Sequence, residues 1–247
     1  LWCRWRGVAL WNNGASQPDG TGKAGLWVGV LFALEFLCLY VGMQFTTASR
    51  LTIFLYTAPF FVALALPRFV ASERLKPLQW IGLACAFLAV MFAMSGNFGS
   101  AHQTWLGDGL ALAAGMFWGL TTVVIRASKL GSIPAEKLLF YQLAISALCL
   151  LPASLLMGEN WLTTLSTMNR FAWGSLAIQT VVGAFASYLA WMWMLGRYPA
   201  TQLASFTFLT PVFTLIFGAW WLGEPITATL VTALVLVGVG IVLVNRK

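Results

Sequence analysis

Two long apolar segments near the C-terminal end, residues 202–222 and 226–244, restrict the fold more than any other feature of this sequence. Each approaches the roughly 20 residues that an α-helix needs to cross the hydrocarbon core of a bilayer. Gly223, Glu224 and Pro225 separate them, and proline suits the first turn of a helix better than its interior. The two segments therefore predict two membrane-spanning helices joined by a short turn.

The same arrangement occurs in residues 46–96, which indicates an internal repeat. Pro59 and Pro211 lie 152 positions apart in the middle of their segments, and Glu73 and Glu224 lie 151 positions apart just beyond them. In each copy a glycine-containing apolar helix follows the glutamate. We interpret both glutamates as caps beside helix starts, where a carboxylate complements the helix dipole.

The composition extends the membrane prediction to the whole chain. Hydrophobic residues make up 60% of the 247 residues and charged residues only 9%, against about 25% charged in a soluble domain. The mean hydropathy is +0.84. The apolar segments are continuous and do not alternate with a period of two, which favours helices over a closed barrel. The predicted fold class is an all-α polytopic membrane protein.

Eight membrane-spanning helices are predicted, with only short loops between them. They lie at residues 25–45, 49–67, 77–95, 107–127, 138–157, 172–195, 201–222 and 226–245. In the second half two spans precede the three that match the first half, and the chain begins with Leu, so we expect a ten-helix protein without its first two helices. The expected organisation is a cytoplasmic loop at a truncated start (1–24), the remaining three helices of the first repeat (25–96) and the five helices of the second repeat (107–247).

The basic residues fall mainly on one side of these spans. Alternating the loops places twelve Lys and Arg residues together, whereas only Arg50 and Arg170 fall opposite. Because cytoplasmic loops carry the excess of Lys and Arg, we expect the C-terminus to be cytoplasmic. An odd number of spans separates the two copies of the repeat, so the copies have opposite orientations. Inverted repeats are typical of secondary transporters, whose substrate site lies between the halves.

Several motifs give the chain a family resemblance. They are LGEPIT at 222–227, ASERLKPLQWIGLACAF at 71–87, YTAP and FLTP at the two mid-span prolines, and GMFWGLTTVVIR at 115–126. The paired arrangement resembles the drug/metabolite transporter superfamily, specifically proteins with tandem EamA domains. The resemblance implies ten helices, cytoplasmic termini, and export or exchange of small metabolites such as amino acids. It also implies that the opening helix lines the cavity, so a chain without that helix would be an incomplete transporter.

Glu35 is a charged residue in the middle of the span at 25–45, where an isolated charge costs at least about 2.5 kcal/mol on insertion scales. We predict that it faces a cavity and binds a proton or a cationic substrate. The alternative is a protonated carboxyl bonded to a neighbouring helix. Ser187 occupies the equivalent position in the second repeat and is predicted to belong to the same substrate site. The alternative is a bond from its hydroxyl group to its own helix backbone.

Pro59 and Pro211 each remove one hydrogen bond from a spanning helix and free the carbonyl groups of Leu55 and Thr207. Since the prolines recur at matching positions, we predict kinks that shape the cavity and serve as hinges for alternating access. Static kinks solvated by neighbouring helices are the alternative.

Polar and aromatic side chains near these kinks predict an apolar cavity with a few hydroxyl groups, suited to an amphipathic metabolite. For each aromatic residue the alternative is packing against lipid or at the membrane interface. With Glu35, the residues predicted to line the cavity are Tyr40, Ser49, Thr52, Tyr56, Trp118, Ser187, Tyr188, Trp191, Thr207 and Thr210.

Glycines indicate where helices approach one another closely. Gly115 and Gly119 form a GxxxG motif, and Gly238 and Gly240 lie in the last span. Small residues of this kind allow close helix packing, which we expect inside the monomer. Homodimerisation through the last helix is the alternative.

The sequence also lacks the signatures of several other functions. It has a single histidine, His102, no CxxC pair and no P-loop, so we expect no metal, no cofactor, no enzymatic activity and no ATP hydrolysis. The net charge of +7 comes from short loops and not from a basic face, so a nucleic-acid partner is not expected. Energy for pumping would come from an ion gradient or a substrate gradient.

The resulting prediction is a secondary transporter of the bacterial inner membrane that exports or exchanges small organic metabolites. Glu35 is the residue expected to couple transport to protons or to recognise the substrate. The alternatives are a facilitator or an exchanger of phosphorylated compounds, a membrane-embedded enzyme, and a non-transporting scaffold or incomplete fragment of a transporter. No Lys or Arg pair lies in mid-span to favour phosphate, and the seven acidic residues are too scattered for an enzyme site.

Overall fold

The computed structural model describes residues 3, 7–8, 20–46, 48–94, 104–210, 213, 216–217, 220 and 228–246. Within these residues the backbone forms helices and turns, without β-strands, so the all-helical class is confirmed for this part of the chain. In chain order the helices are α1 Gly22–Gly42, α2 Ala48–Leu55, α3 Ala58–Ala65, α4 Pro77–Met94, α5 Thr104–Ala127, α6 Ala135–Leu156, α7 Trp161–Thr167, α8 Arg170–Ile178, α9 Ser187–Leu195, α10 Ala200–Phe206 and α11 Ala228–Asn245. The 3-10 turns are Leu66–Arg68, Ala71–Glu73 and Lys129–Ser132, and a π-helical segment, Gln179–Ala186, joins α8 to α9.

Five helical stretches in the described ranges are long and apolar enough to cross a membrane: Gly22–Gly42, Arg50–Arg68, Trp105–Ala127, Ala135–Leu156 and Arg170–Leu195. They match five of the predicted spans, so the protein is a multi-pass membrane protein. The predicted spans 77–95 and 226–245 coincide with α4 and α11, whose apolar parts are shorter. The predicted span 201–222 begins with α10 and continues into residues outside the described ranges. The total of eight spans and the inverted repeats stay predictions.

The predicted span at 49–67 is interrupted just before Pro59, where α2 ends and α3 begins. Proline has no amide hydrogen and cannot continue the helical ladder. The side chain of Thr57 fills part of the gap, since its hydroxyl donates to the carbonyl oxygen of Phe54 at 2.6 Å. The role of this break as a hinge stays a prediction, and Pro211 lies outside the described residues.

Packing divides the chain into two compact units. The first unit consists of residues 1–33 and 128–197, and the second consists of residues 34–127 and 198–247. Each unit therefore contains residues from both of the predicted sequence repeats. The repeats are defined by duplicated sequence, whereas the units are defined by packing. The units therefore do not test the repeat boundaries, which stay predictions.

In the first unit α1 packs against α6 through two glycines. A Cβ atom on Gly25 would lie 2.7 Å from the ring of Tyr141, and a Cβ atom on Gly29 would overlap the side chain of Ile145. The hydroxyl group of Tyr141 is held in turn by a hydrogen bond with Thr21 at 3.1 Å. Small residues thus bring these two helices together, as is common where lipid removes the hydrophobic driving force between helices.

The first unit also contains the stretch Arg170–Leu195, built from α8, the π-helical segment and α9. The hydroxyl group of Ser187 donates to the carbonyl oxygen of Gly183, one turn earlier. A side chain bonded to the backbone in this way competes with the regular helical ladder. Only 6% of the most apolar part of this stretch is buried, less than in the other four candidate spans of the described chain.

In the second unit α4 and α11 pack along one another. A Cβ atom on Gly82 would lie 2.7 Å from the carbonyl oxygen of Gly240, and a Cβ atom on Gly240 would lie 2.7 Å from the carbonyl oxygen of Gly82. The interface continues through buried side chains, namely Leu83, Ala86, Ala89, Val90, Val237, Ile241 and Val244. Gly240 therefore packs as predicted. For Gly238 no described atom lies within 4 Å of its Cβ position, so its packing role stays a prediction.

In the same unit α5 packs against α2 and α3 through its two predicted glycines. A Cβ atom on Gly115 would lie 2.8 Å from the carbonyl oxygen of Leu55. A Cβ atom on Gly119 would lie 3.0 Å from the carbonyl oxygen of Ala58. The GxxxG motif therefore packs inside the chain, against the interruption between α2 and α3.

An ion pair lies near each end of α5. Near its N-terminus Arg50 Nε donates to Asp108 Oδ1 at 3.1 Å, and the hydroxyl group of Thr46 donates to the same oxygen at 2.9 Å. Near its C-terminus Arg126 Nη2 donates to Glu73 Oε1 at 2.8 Å. One end of α5 is therefore tied to the first turn of α2, and the other end to the turn that follows α3.

Candidate functional site

Glu35 is buried in the middle of α1, with 6% of its surface exposed. One of its carboxylate oxygens, Oε2, has no hydrogen-bond partner among the described residues. Burial of a polar group without a partner is unfavourable, and an ionised carboxylate in an apolar helix is more so. The geometry leaves this oxygen available for a proton or for a hydrogen-bond donor on a ligand.

Two of the other predicted cavity residues belong to the same part of the sequence. Tyr40 lies near the end of α1 with 63% of its surface exposed, and its ring is 6.0 Å from that of Phe36. Its position is that of an aromatic residue on the outer surface of the unit. The side chain of Ser49 lies outside the described part of the structure.

The second unit brings Tyr56, Trp118 and Thr210 together. Tyr56 is buried, its ring makes an edge contact with Trp118 at 6.0 Å, and its hydroxyl group is hydrogen-bonded to Thr210. The ring of Phe208, which the sequence analysis did not single out, lies 6.1 Å from that of Tyr56. Tyr56, Trp118 and Phe208 form an aromatic cluster, in which Tyr56 lies shortly before Pro59 in the chain. The cluster contains one pair of hydrogen-bonded hydroxyl groups, those of Tyr56 and Thr210.

Two further threonines predicted to line the cavity, Thr207 and Thr52, also lie in this unit. Thr207 donates its hydroxyl to the carbonyl oxygen of Ala204 in its own helix, at 2.7 Å. It is therefore occupied by a local bond. Thr52 is half-buried on α2, one turn before Tyr56.

Three of the predicted cavity residues lie in the first unit. Ser187 is exposed and bonds its own helix through Gly183, which is the alternative weighed for it above. Tyr188 is half-buried, and its ring meets that of Phe32 edge-on at 5.3 Å. Trp191 is also half-buried. Tyr188 is the one of these three with an aromatic neighbour suited to a binding surface.

The first unit has a groove that the sequence analysis did not predict, with a volume of about 1140 Å³. Residues 131–136 form one wall, and residues 185–197 on and after the π-helical segment contribute most of the other. At one end the guanidinium group of Arg197 lies over the ring of Trp193, 4.0 Å from its centroid. No sequence pattern predicts this groove, because its two walls are far apart in the chain and carry no motif.

Glu73, a charged residue with several hydrogen-bond partners, is not among the residues predicted to line the cavity. The carboxylate of Glu73 is bonded by Arg126, Ala200 and Thr201. Burial alone raises the pKa of Glu73, but the bonds from Thr201, Ala200 and Arg126 outweigh it and hold the pKa below its ordinary value. Glu73 is predicted from the sequence to cap an adjacent helix. Instead its carboxylate caps α10, more than 120 residues further along the chain.

The described residues contain no group of three or more His, Cys, Asp or Glu side chains that could hold a metal ion. The four cysteines of the chain, Cys3, Cys38, Cys85 and Cys149, are free. Neutral and charged hydrogen-bonding groups, together with aromatic rings, are therefore what these sites offer a ligand.

The chain matches the family model described as EamA-like transporter family in two segments, residues 8–95 and 105–246. The probable amino-acid metabolite efflux pump of Salmonella typhimurium is 28% identical over 213 residues, which cover 84% of this chain and 71% of that protein. An uncharacterized transporter of Archaeoglobus fulgidus is 28% identical over 224 residues, which cover 87% of this chain and 73% of that protein. A solved structure titled "Crystal structure of protein" has a TM-score of 0.79 at 19% identity, covering 99% of this chain and 80% of that chain, and supports the fold alone.

Proposed function

The chain belongs to the EamA-like transporter family, which confirms the resemblance seen in its motifs, and on this premise we propose that it exports or exchanges small organic metabolites. Amino acids or related compounds are the proposed substrates, carried across the bacterial inner membrane without a cofactor. The observation that supports this most is the family match over both segments. Relatives named probable amino-acid metabolite efflux pumps, in Salmonella typhimurium and Escherichia coli, support the substrate class.

The proposed mechanism is alternating access between two inverted repeats. The basic loops support an orientation with the C-terminus in the cytoplasm, because Lys and Arg concentrate on that side. In this mechanism the interruption before Pro59 is the hinge of its span, since a helix without a continuous ladder bends at low cost. The glycine contacts of α5 with α2 and α3 place α5 against both sides of this proposed hinge.

Glu35 is the proposed residue for substrate recognition or proton coupling. Its burial in α1 and its unpartnered Oε2 support this role, because a ligand or a proton would satisfy that oxygen. An amino group of a substrate could donate to it directly. A proton from the medium could neutralise it between transport steps.

The aromatic cluster of Tyr56, Trp118 and Phe208 is the proposed apolar wall for the substrate side chain. Aromatic faces with a few polar groups are typical of sites that bind small amphipathic molecules. The bond between Tyr56 and Thr210 gives this wall a fixed hydroxyl pair.

The test is transport by the purified protein in proteoliposomes, with a panel of labelled amino acids and related metabolites on the inside. The chain is compared with a version that includes any further residues encoded upstream in its gene. Liposomes that contain no protein are the blank. We expect release of at least one amino acid in exchange for the same unlabelled compound. Absence of release from both folded versions over a broad panel would contradict the proposal and favour a non-transporting scaffold.

A further inference from the structure

Glu73 makes four hydrogen bonds with distant parts of the second unit. Its Oε1 atom accepts from Arg126 Nη2 at 2.8 Å and from the backbone N–H of Ala200 at 2.9 Å. Its Oε2 atom accepts from the backbone N–H and the hydroxyl of Thr201, at 3.1 Å and 2.7 Å. A carboxylate offers about four acceptor positions, so this one is fully used. Its side chain is only 1% exposed.

These bonds replace a cap that α10 lacks in its own sequence. The residue before α10 is Pro199, which has no side chain able to accept a hydrogen bond, and no side-chain cap is present there. The first amide groups of a helix have no partner within it and need an acceptor from outside. Glu73 supplies that acceptor for Ala200 and Thr201, and its negative charge complements the helix dipole.

Arg126 fixes the place at which the Glu73 carboxylate holds α10. It lies in the last turn of α5, so its ion pair fixes the Glu73 carboxylate against the end of that helix. Thr201 at the start of α10 is 4% exposed, and Ser205 near the end of that helix is fully buried. Movement of α10 away from α5 would break three hydrogen bonds to one carboxylate together.

We propose that Glu73 is a positioning residue of the transport cycle, which holds the start of α10 against the end of α5 in one state and releases it in another. This inference rests on the proposed transport function. Opening of this end of the second unit then requires α10 to leave the carboxylate, and substrate binding supplies the energy. Residues 71–73, between α3 and α4, thus control a helix of the other sequence repeat.

The test uses a cysteine reporter at Ser205, introduced as Ser205→Cys after the four native cysteines have been replaced by Ala. The hydroxyl of Ser205 donates only to its own helix, to the carbonyl of Gln202 at 2.7 Å, so a thiol is a mild change. The reaction rate of this thiol with a small maleimide, in proteoliposomes without substrate, measures how often α10 departs.

We expect Glu73→Gln to raise the reaction rate at least about tenfold, since it removes the negative charge that accepts these bonds and places an amide donor against other donors. Thr201→Val removes one bond and keeps the carboxylate, so a rise of about two- to fivefold is expected. This second variant carries the test if the first does not fold. Asp108→Asn removes the other ion pair of α5 and is the matched control, with a rate within about twofold of the parent.

The response to substrate separates positioning from a merely structural role. In the parent, a transported amino acid should raise the reaction rate, whereas in Glu73→Gln the rate should already be high and should not respond. Equal rates in the parent and both Glu73 and Thr201 variants would overturn the proposal, as would an equal acceleration by Asp108→Asn. The reaction without substrate does not depend on transport, so a parent that moves no substrate but shows the graded rates would overturn only the proposed function.

Discussion

The backbone of Gly115 lies against the carbonyl oxygen of Leu55, so closely that a Cβ atom on the glycine would be 2.8 Å from that oxygen. This carbonyl is the one that Pro59 cannot bond, because proline lacks an amide hydrogen. A glycine on the neighbouring helix therefore covers the polar group that the proline exposes. Weak Cα–H to carbonyl contacts are common at such close helix crossings.

The first prediction concerns this contact. Gly115→Ala should destabilise the protein by about 1–3 kcal/mol, because the added methyl group overlaps α2 and the helices must separate. Gly109→Ala is the matched control in the same helix, since its Cβ position has no heavy atom within 4 Å. It should be neutral or slightly stabilising. Thermal unfolding in detergent measures both, and equal stability of the two variants would contradict the contact.

The second prediction distinguishes the two glycines of α11. Gly240→Ala should lower the thermal stability, because its Cβ atom would meet the Gly82 carbonyl oxygen at 2.7 Å. Gly238→Ala should leave the monomer unaffected, since its Cβ position is free of described atoms. Light scattering in detergent adds a check on the predicted homodimer. A dimer in the parent that dissociates in Gly238→Ala would show that the last helix associates through this glycine.

The third prediction is a loss of stability in acid that depends on Glu73. Its pKa is lowered in the folded state, so as the pH falls the unfolded chain takes up this proton first. The stabilisation is therefore complete above the ordinary pKa of 4.5 and is lost as the pH falls through the lowered value. The thermal midpoint of the parent should drop in that window.

Glu73→Gln should be less stable than the parent at pH 7, by roughly 3–5 kcal/mol, because one partner of a buried pair is removed. Its midpoint should depend less on pH below 4.5 than that of the parent. Glu159→Gln is the control, since Glu159 is an exposed loop residue, and it should keep the acid dependence. A parental midpoint that stays constant down to pH 3, or the same acid response in Glu73→Gln, would contradict the assignment.

The fourth prediction tests Glu35 in transport. Glu35→Gln keeps the shape of the side chain and removes the group that binds a proton. The variant should fold, because an uncharged amide is tolerated at this buried position. The transport rate of the parent should depend on pH, and that of Glu35→Gln should be reduced at least about tenfold or lose this dependence. Glu159→Gln again serves as the control for loss of one acidic group. Proton coupling fails if parental transport does not vary with pH and Glu35→Gln is fully active.

The features predicted correctly from the sequence are those set by local chemistry. The apolar segments gave the spans that the structure shows in α1, α5 and α6, because their length and hydropathy suffice. The packing of Gly115 and Gly119 also followed from their spacing on one helix face. Gly238 has no described atom near its Cβ position, because residue size does not say which face of a helix has a neighbour.

The sites were less predictable because they depend on contacts between distant residues. The carboxylate of Glu73 was placed beside a helix start, but only the fold shows that the helix is α10. Periodicity grouped Tyr56 with Ser49 and Thr52 on one helix, and gave no indication of its partner Phe208. The groove beside Arg197 arises from two segments without any common pattern.

The two ion pairs of α5 limit the ways in which that helix can move. Asp108 holds one end through Arg50 in α2, and Arg126 holds the other through Glu73, beyond α3. A piston stroke of α5 along its own axis would stretch both pairs at once. A tilt or a rolling motion shared by the three helices would stretch neither. The two ion pairs therefore favour a pivot of α5 over a slide.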